Sequence, residues 1–557
     1  MIPIRALYLP IHMHNFYNVR PVEEVIGVLE DQHAWGYNTL VLWYDVNQYN
    51  DPFTETPGND VARAEWAKQK ALAERAKRLG MSVWMISVAN VIYVDQAAAD
   101  PSMVAAPHPQ SGHTPQHVCP SASKAREIIL ANHDRLFREL PGLSGFIDFA
   151  YDWGGCGCER CAPWASTYYD LLQEKASLLR RHVADASVYM CDWHFTDGEV
   201  DAIAARIGDE RPEWLTGVVK DDRHPLDRWR SRGLPEQYET ISFFDITMIG
   251  GWGTFGAQPF PERISRLCRD IRDTGIRGVI AYTEGIYDGA NKALAGSLAL
   301  DPDRDPESVL HEYARRYFGF GREDCRRLAE ALMLCEQGFT MPMNPWWDQR
   351  FVPDRERTER MANIIHELDG RLRSNQRARG HWEWQSIIGR VDIERLLTTV
   401  GSIEGLHEAV LAEVRTIPEA ARSDAVGAAI ARAREALHDR WVALEQLRAR
   451  IDDLRGSVYL EPSDKFPAMA VDESMFEGRW GCTYADYTAE HRGLAEQLRH
   501  LEGFTTVDEA HAAARRMIAD HAHREAHLRA ESERWGADGA PAPGAAPTPG
   551  ADRLAQP

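Results

Sequence analysis

The chain has 557 residues, and its 84 acidic against 63 basic side chains leave a net charge of −21. That length exceeds what one hydrophobic core supports, so one large domain plus at least one more is expected. The negative balance argues against nucleic acid or an anionic membrane surface as partner and favours a neutral or locally steered small substrate.

The first residues, MIPIRALYLPIHMH, enter an alternating apolar segment directly. No basic n-region and apolar h-region precede it, so the expectation is a cytoplasmic protein acting on an imported substrate. No run of about 18 apolar residues occurs that could span a bilayer. Nine cysteines, scattered apart from one cluster, do not form a disulfide framework.

From residue 4 to about 290, short β-branched or aromatic runs alternate with longer amphipathic stretches, the pattern of βαβ units. The predicted strands are Ile4 to His12, Thr39 to Asp45, Ser82 to Ala89, Gly145 to Tyr151, Ser187 to His194, Leu215 to Asp221, Thr240 to Met248 and Arg277 to Thr283. Helices are predicted at Pro21 to Trp35, Val61 to Leu79, Ala122 to Leu140, Ala165 to Ala184 and Pro261 to Asp273. This alternation is the size of a (β/α)8 TIM barrel, whereas a doubly wound sheet would carry a Gly-rich turn after its first strand. The barrel is assigned to residues 1–300. Residues 301–535 read as an α-helical C-terminal domain, with helices at Glu307 to Phe318, Glu323 to Phe339, Arg355 to Ser374, Ala420 to Leu454 and Val507 to Arg534. Pro462 to Gly481 is an aromatic loop, and the Gly/Pro/Ala-rich tail 536–557 is expected to be disordered.

A barrel enzyme places its chemistry where strands end. The fourth strand runs into GFIDFAYDWGGCGCERCAPW. Alternation puts Asp148 and Asp152 on one face about 13 Å apart, too far to share a proton. Asp152, at the rim, is the predicted catalytic carboxylate. Asp148 is expected lower in the barrel, a buried support of the substrate-binding set. After the eighth strand comes AYTEGIYDGAN, where Glu284 is the second carboxylate of an acid/base pair; Asp221, or its neighbour Asp222, at the sixth strand is the rival. A turn-forming Asp152 and a Glu284 that only bonds loop amides are the plain structural alternatives.

Aromatic residues gather at the same ends: Trp43, Tyr44, Trp153, Trp193, Trp252 and Tyr282. Sugar rings have apolar faces that stack on such rings, although core packing is the ordinary role of any one of them. His12, His14, Asp45, Asp192, His194, Lys220 and Asp245 complete the predicted substrate-binding set. Cys156, Cys158 and Cys161, with Cys119 in the preceding loop, could close a structural tetrahedral zinc site; reduced thiols packing a tight turn are the alternative. No cofactor is required for the chemistry itself.

The segments VCPSASKAREIIL, YDWGGCGCERCAPW and YTEGIYDGANK, the last followed by LALDPDRDPESVLHEYARRYFG, resemble the glycoside hydrolase group containing β-N-acetylhexosaminidases and α-glucuronidases, over roughly residues 1 to 320. The resemblance implies a catalytic barrel followed by further domains and a carbohydrate substrate. In hexosaminidases an adjacent Asp-Glu pair follows the fourth strand; this chain has Asp152-Trp153 instead, which departs from substrate-assisted cleavage of an N-acetyl sugar. A glucuronidase-like site would need basic groups for a uronate, for which Lys220, Arg223 and His224 are the residues in place. A non-catalytic carbohydrate-binding barrel and a metal-dependent barrel lyase or isomerase are the competing readings.

Overall fold

The computed structural model describes residues 1–9, 11, 16–56, 58–151, 154–221, 224–246, 257–282, 288–338, 354–379, 381–455 and 484–538. Among them, eight parallel strands close into a barrel in sequence order. They are β1 Ile4–Leu9, β2 Thr39–Trp43, β3 Ser82–Val88, β4 Leu143–Phe149, β5 Ser187–Cys191, β6 Gly217–Asp221, β7 Glu239–Asp245 and β8 Gly278–Tyr282. Each lies within or close to its expected run. The sequence runs overshot the C-terminal ends of β1, β2, β3, β4, β5 and β7, because strand-end residues such as Asp45 and His194 already belong to the loops.

The helices outside the barrel are α1 Val22–Ala34, α2 Asp60–Arg78, α3 Ser123–Glu139, α4 Trp164–His182, α5 Asp197–Glu210, α6 Pro261–Asp273 and α7 Gly289–Leu300. Among the described residues, the β6 to β7 connection holds a single helical turn, Arg228–Ser231. Beyond the barrel come α8 Pro306–Phe318, α9 Arg322–Glu336, α10 Arg355–Arg371, α11 Trp382–Thr416, α12 Ser423–Arg455, α13 Tyr484–Glu502 and α14 Val507–Asp538. The limits of α8 follow from local chemistry. The Asp305 side chain accepts from the Glu307 amide, Pro306 occupies the first turn, and Gly319 ends the helix at φ 68°. Helix α11 was not anticipated, because Gly389, Gly401, Gly405 and the Thr398-Thr399 pair lower its intrinsic propensity. None of the described helices is long and apolar enough to cross a membrane.

The described residues of 1–352 and 360–390 belong to one compact unit, and those of 353–359, 391–458 and 469–557 to a second. The barrel unit therefore continues past residue 300 and takes in α8 and α9. The second unit has its own apolar core, in which Val410, Val414 and Ile417 of the α11 end pack with Ala433, Leu494 and Ala514. The aromatic loop 462–481 and the tail 539–557 lie outside the described residues.

The bottom of the barrel is filled by alternation of large and absent side chains. Trp84 of β3 and Tyr189 of β5 stack with ring centroids 5.0 Å apart. Glycines make room for large side chains: a Cβ on Gly145 of β4 would sit 2.5 Å from the Trp84 ring, and one on Gly278 of β8 would sit 2.7 Å from Ile4 Cβ of β1. This is layered barrel packing, with side chains contributed by alternate strands. A Cβ on Gly217 would meet the backbone oxygen of Glu239 at 2.1 Å, and a backbone atom within the barrel sheet has nowhere to move. Gly217→Ala is expected to destabilise the barrel by about 3 kcal/mol, read as a fall in urea midpoint at unchanged m-value. A midpoint equal to wild type would contradict the close approach.

Candidate functional site at the barrel mouth

Which side chains face the lumen follows from register. Rings of β1, β2, β4, β7 and β8, with Trp193 just beyond β5, form one contiguous cluster. Phe243 and Tyr282 lie 4.6 Å apart, Tyr8 and Tyr282 5.2 Å, Trp43 and Phe149 5.2 Å, and Trp193 and Phe243 5.7 Å. This cluster closes the barrel below its C-terminal mouth. Trp43, Trp193 and Tyr282 keep 4–6% of their surface exposed. Tyr44 points elsewhere: it stacks on Tyr49 and its hydroxyl donates to the Ala62 carbonyl at 3.2 Å, a packing role that corrects its place in the expected aromatic belt.

Asp221 is paired in register with Phe243, and Asp245 with Tyr282. Laterally paired residues of a sheet share a face, so both aspartates lie on the lumen face at the ends of β6 and β7. Asp45 lies two residues past the end of β2, in the loop that follows it. All three are buried, at 0–2% exposure. Three buried carboxyl groups at strand ends, two of them beside the ring cluster, are the most concentrated chemistry of the described mouth.

Three expected substrate-binding residues are placed differently. Asp148 is paired in register with Ser87 and Met190, opposite in parity to Phe149, and so faces the helix layer. There its two oxygens accept from Lys175 Nζ of α4 at 2.9 and 3.0 Å, and neither residue is exposed. Burial pushes the Asp148 carboxyl up to about 6 against the opposing pull of Lys175, and burial lowers the Lys175 ammonium. Asp148 is thus a buried support, as expected, but on the outside of the barrel wall rather than low in the lumen.

Asp192 is equally enclosed. One oxygen accepts the Asp221 amide at 2.6 Å; the other accepts from Arg228 Nη1 at 3.0 Å and Trp229 Nε1 at 2.8 Å. Burial first, then the charge of Asp221, raises its carboxyl to about 6. Its work is to fix the end of β6, and thereby Asp221, rather than to bind a hydroxyl. Lys220 also turns away from the lumen: its ammonium, fully buried, donates to the Asp221 and His224 carbonyls at 2.6 and 2.7 Å. That geometry removes it as a uronate ligand.

His194 is exposed just after β5 at φ 62°, and its carbonyl accepts from Gln110 at 2.8 Å. Gln110 also donates to Glu199 at 3.0 Å, Tyr151 donates to the other oxygen of Glu199, and His108 packs on the Tyr151 ring at 5.1 Å. This polar group joins the long β3–α3 loop to the start of α5, and the sequence reading did not single it out. Its signal was present in Thr196-Asp197-Gly198-Glu199, a capping box whose reciprocal bonds are formed.

The four cysteines do converge. Their sulfur atoms all lie within 4.8 Å of one another, with Cys119 3.6 Å from Cys161 and 3.7 Å from Cys158. His12, His14, Asp152, Trp153, Asp222, Arg223, Trp252 and Glu284 lie outside the described residues.

A closed eight-stranded parallel barrel with polar groups at the strand ends defines the (β/α)8 class. No protein-family model and no curated protein matches the sequence. Among solved structures the chain is similar to a GH138 enzyme targeting pectin rhamnogalacturonan II, with a TM-score of 0.57 at 10% identity, over 91% of this chain and 69% of that one. It is also similar to an O-GlcNAc hydrolase of Thermobaculum terrenum, with a TM-score of 0.46 at 12% identity, over 89% of this chain and 94% of that one. A β-N-acetylhexosaminidase gives a TM-score of 0.38 at 12% identity, over 57% and 78% of the two chains. The first of these likenesses extends through most of the chain and establishes the fold.

Proposed function

We propose that the protein is a glycoside hydrolase that cleaves a glycosidic bond in an oligosaccharide or small glycoside by carboxylate acid/base catalysis at the barrel mouth. The observation that carries this reading is the arrangement of Asp221 and Asp245 on the lumen face beside the ring cluster of Trp43, Phe149, Trp193, Phe243 and Tyr282. Rings that present apolar edges to a sugar, next to carboxylates that accept its hydroxyl protons, are the combination a carbohydrate needs. The likeness in fold, over 91% of the chain, to an enzyme targeting pectin rhamnogalacturonan II supports it.

In this reading Asp152 and Glu284 are the carboxyl pair: one protonates the leaving oxygen, the other acts ionised as nucleophile or base. Asp221 is a further carboxylate of the site, held by Asp192 through its own amide. Asp45 and Asp245 accept sugar hydroxyls, with His12, His14 and His194 as further polar contacts and Trp153 and Trp252 as further stacking surfaces. The net charge of −21 fits a neutral carbohydrate better than nucleic acid.

The test is a screen of aryl glycosides and oligosaccharides with the wild type and Asp221→Asn, which keeps the shape of the side chain. Hydrolysis of at least one glycoside, lowered by about 10²-fold or more in kcat/KM by Asp221→Asn, is expected. Undiminished turnover in the variant would remove Asp221 from the site.

A further inference from the structure

The four cysteines belong to two loops that the backbone forces together. Cys119 ends the β3–α3 loop; Cys156, Cys158 and Cys161 lie in the β4–α4 loop. Asn90, at the end of β3, ties both. Its amide donates to the Val118 carbonyl at 2.8 Å and the Gly155 carbonyl at 2.9 Å, and its oxygen accepts the Gly155 amide at 2.8 Å. The Gly157 amide donates to Ala106 at 2.9 Å, and a Cβ on Gly157 would meet the Pro107 oxygen at 2.2 Å, so only glycine permits the approach. The loops are therefore assembled around the sulfur atoms by contacts that do not involve the sulfurs.

All four thiols are free, and the separations of 3.6 and 3.7 Å are far beyond a disulfide bond of about 2.05 Å. Four thiolates at about 2.3 Å from a tetrahedral zinc ion stand about 3.8 Å from one another along each edge. The two edges at Cys119, 3.6 and 3.7 Å, match that length, and all four sulfur atoms lie within 4.8 Å of one another. Cys119, Cys156 and Cys161 are buried, and Cys158 is half-buried. Groups suited to thiolate sulfur surround them: the Ser121 hydroxyl lies 3.0 Å from Cys161 Sγ, and Arg160 Nη2 lies 3.9 Å from Cys119 Sγ. The guanidinium offsets part of the excess negative charge that four thiolates leave on a divalent ion.

We propose that Cys119, Cys156, Cys158 and Cys161 form a structural zinc site that clamps the β3–α3 loop to the β4–α4 loop. All four coordination positions are filled by protein, so the ion offers no place for water or substrate, and its work is to hold the loop. Asp152 precedes Cys156 by only four residues, so the clamp bears on the segment that carries it. The site stands whether or not the barrel hydrolyses glycosides.

The experiment is metal analysis of the full-length protein after exhaustive dialysis, together with cobalt substitution. One zinc per chain is expected, and the cobalt form is expected to show the intense thiolate-to-metal charge-transfer and visible bands of a tetrahedral thiolate site. Cys161→Ser should lower bound zinc at least tenfold. Because that variant bears on a buried position, Cys158→His supplies the control: it keeps four ligands at the half-buried corner and should retain stoichiometric zinc. Less than a tenth of an equivalent of zinc in the wild type, with all four thiols reacting freely with Ellman's reagent in the native protein, would overturn the proposal. Cobalt absorption without thiolate charge transfer would overturn it equally.

Discussion

Asp152→Ala and Glu284→Ala are each expected to lower kcat/KM on a cognate glycoside by about 10³-fold or more, with KM changing far less than kcat. A positioned general acid or base contributes about 10²–10⁴-fold, and loss of a nucleophile costs at least as much. Since the two carboxyl groups act in one displacement, the double variant is expected to be little worse than the poorer single variant, far from the product of the two losses. Rates on glycosides with a good leaving group distinguish the roles: the acid variant should be partly spared on an activated aryl glycoside, whereas the variant lacking the nucleophile or base should not. If both single variants retain wild-type kcat/KM, the acid/base pair lies elsewhere in the mouth, and Asp221, Asp245 and Asp45 are the described carboxylates left to carry it.

Lys175→Met is expected to produce the largest stability loss outside the mouth, about 3–5 kcal/mol at neutral pH. Lys175 and Asp148 are both fully buried, with two contacts at 2.9 and 3.0 Å, and the ammonium also lies 5.8 Å over the Phe146 ring. Deleting the cation leaves an uncompensated carboxylate among apolar side chains. The pH dependence has a definite sign. Burial already raises the Asp148 carboxyl to about 6 in the folded state, and loss of Lys175 raises it further. A carboxyl whose folded value lies above its unfolded value weakens the fold as pH rises from the unfolded value, near 4, through the folded one. The penalty of Lys175→Met should therefore be smaller at pH 5, where Asp148 is protonated, than at pH 8. Asp148→Leu/Lys175→Met, which replaces the pair by apolar side chains, is expected to recover most of the loss. Urea unfolding of the four proteins at both pH values measures this cycle. Additive single-variant losses with no pH dependence would contradict the buried pair.

The barrel was legible because βα alternation leaves a strong trace: short runs rich in Val, Ile, Tyr and Phe, separated by helices whose buried faces repeat at helical spacing. The C-x-C-x-x-C cluster was likewise open to reading from spacing, and residue type alone offered Cys119 as its fourth member. The facing of individual strand residues was not. In an all-parallel barrel both faces of a strand are buried, one in the lumen and one under helices, so the apolar/polar contrast that reveals parity in a half-exposed sheet is missing. Asp148 and Lys220 consequently read as lumen residues, although their partners are Lys175 on α4 and the Asp221 and His224 carbonyls. Asp192 was misread for another reason. Its partners Arg228 and Trp229 lie 36 and 37 residues away on a single helical turn, a non-local contact that no local pattern announces. Asp221 and Asp245 stand at the strand ends expected of them, and the register of β6 to β8 puts each beside an inward ring.

Calorimetric titration of an oligosaccharide into the wild type and the Asp152→Ala/Glu284→Ala double variant, with reducing-sugar release followed on the same samples, tests the glycosidase reading most directly. The account predicts that both proteins bind the sugar at the barrel mouth and that only the wild type cleaves it. Cleavage by the double variant at the wild-type rate would contradict it.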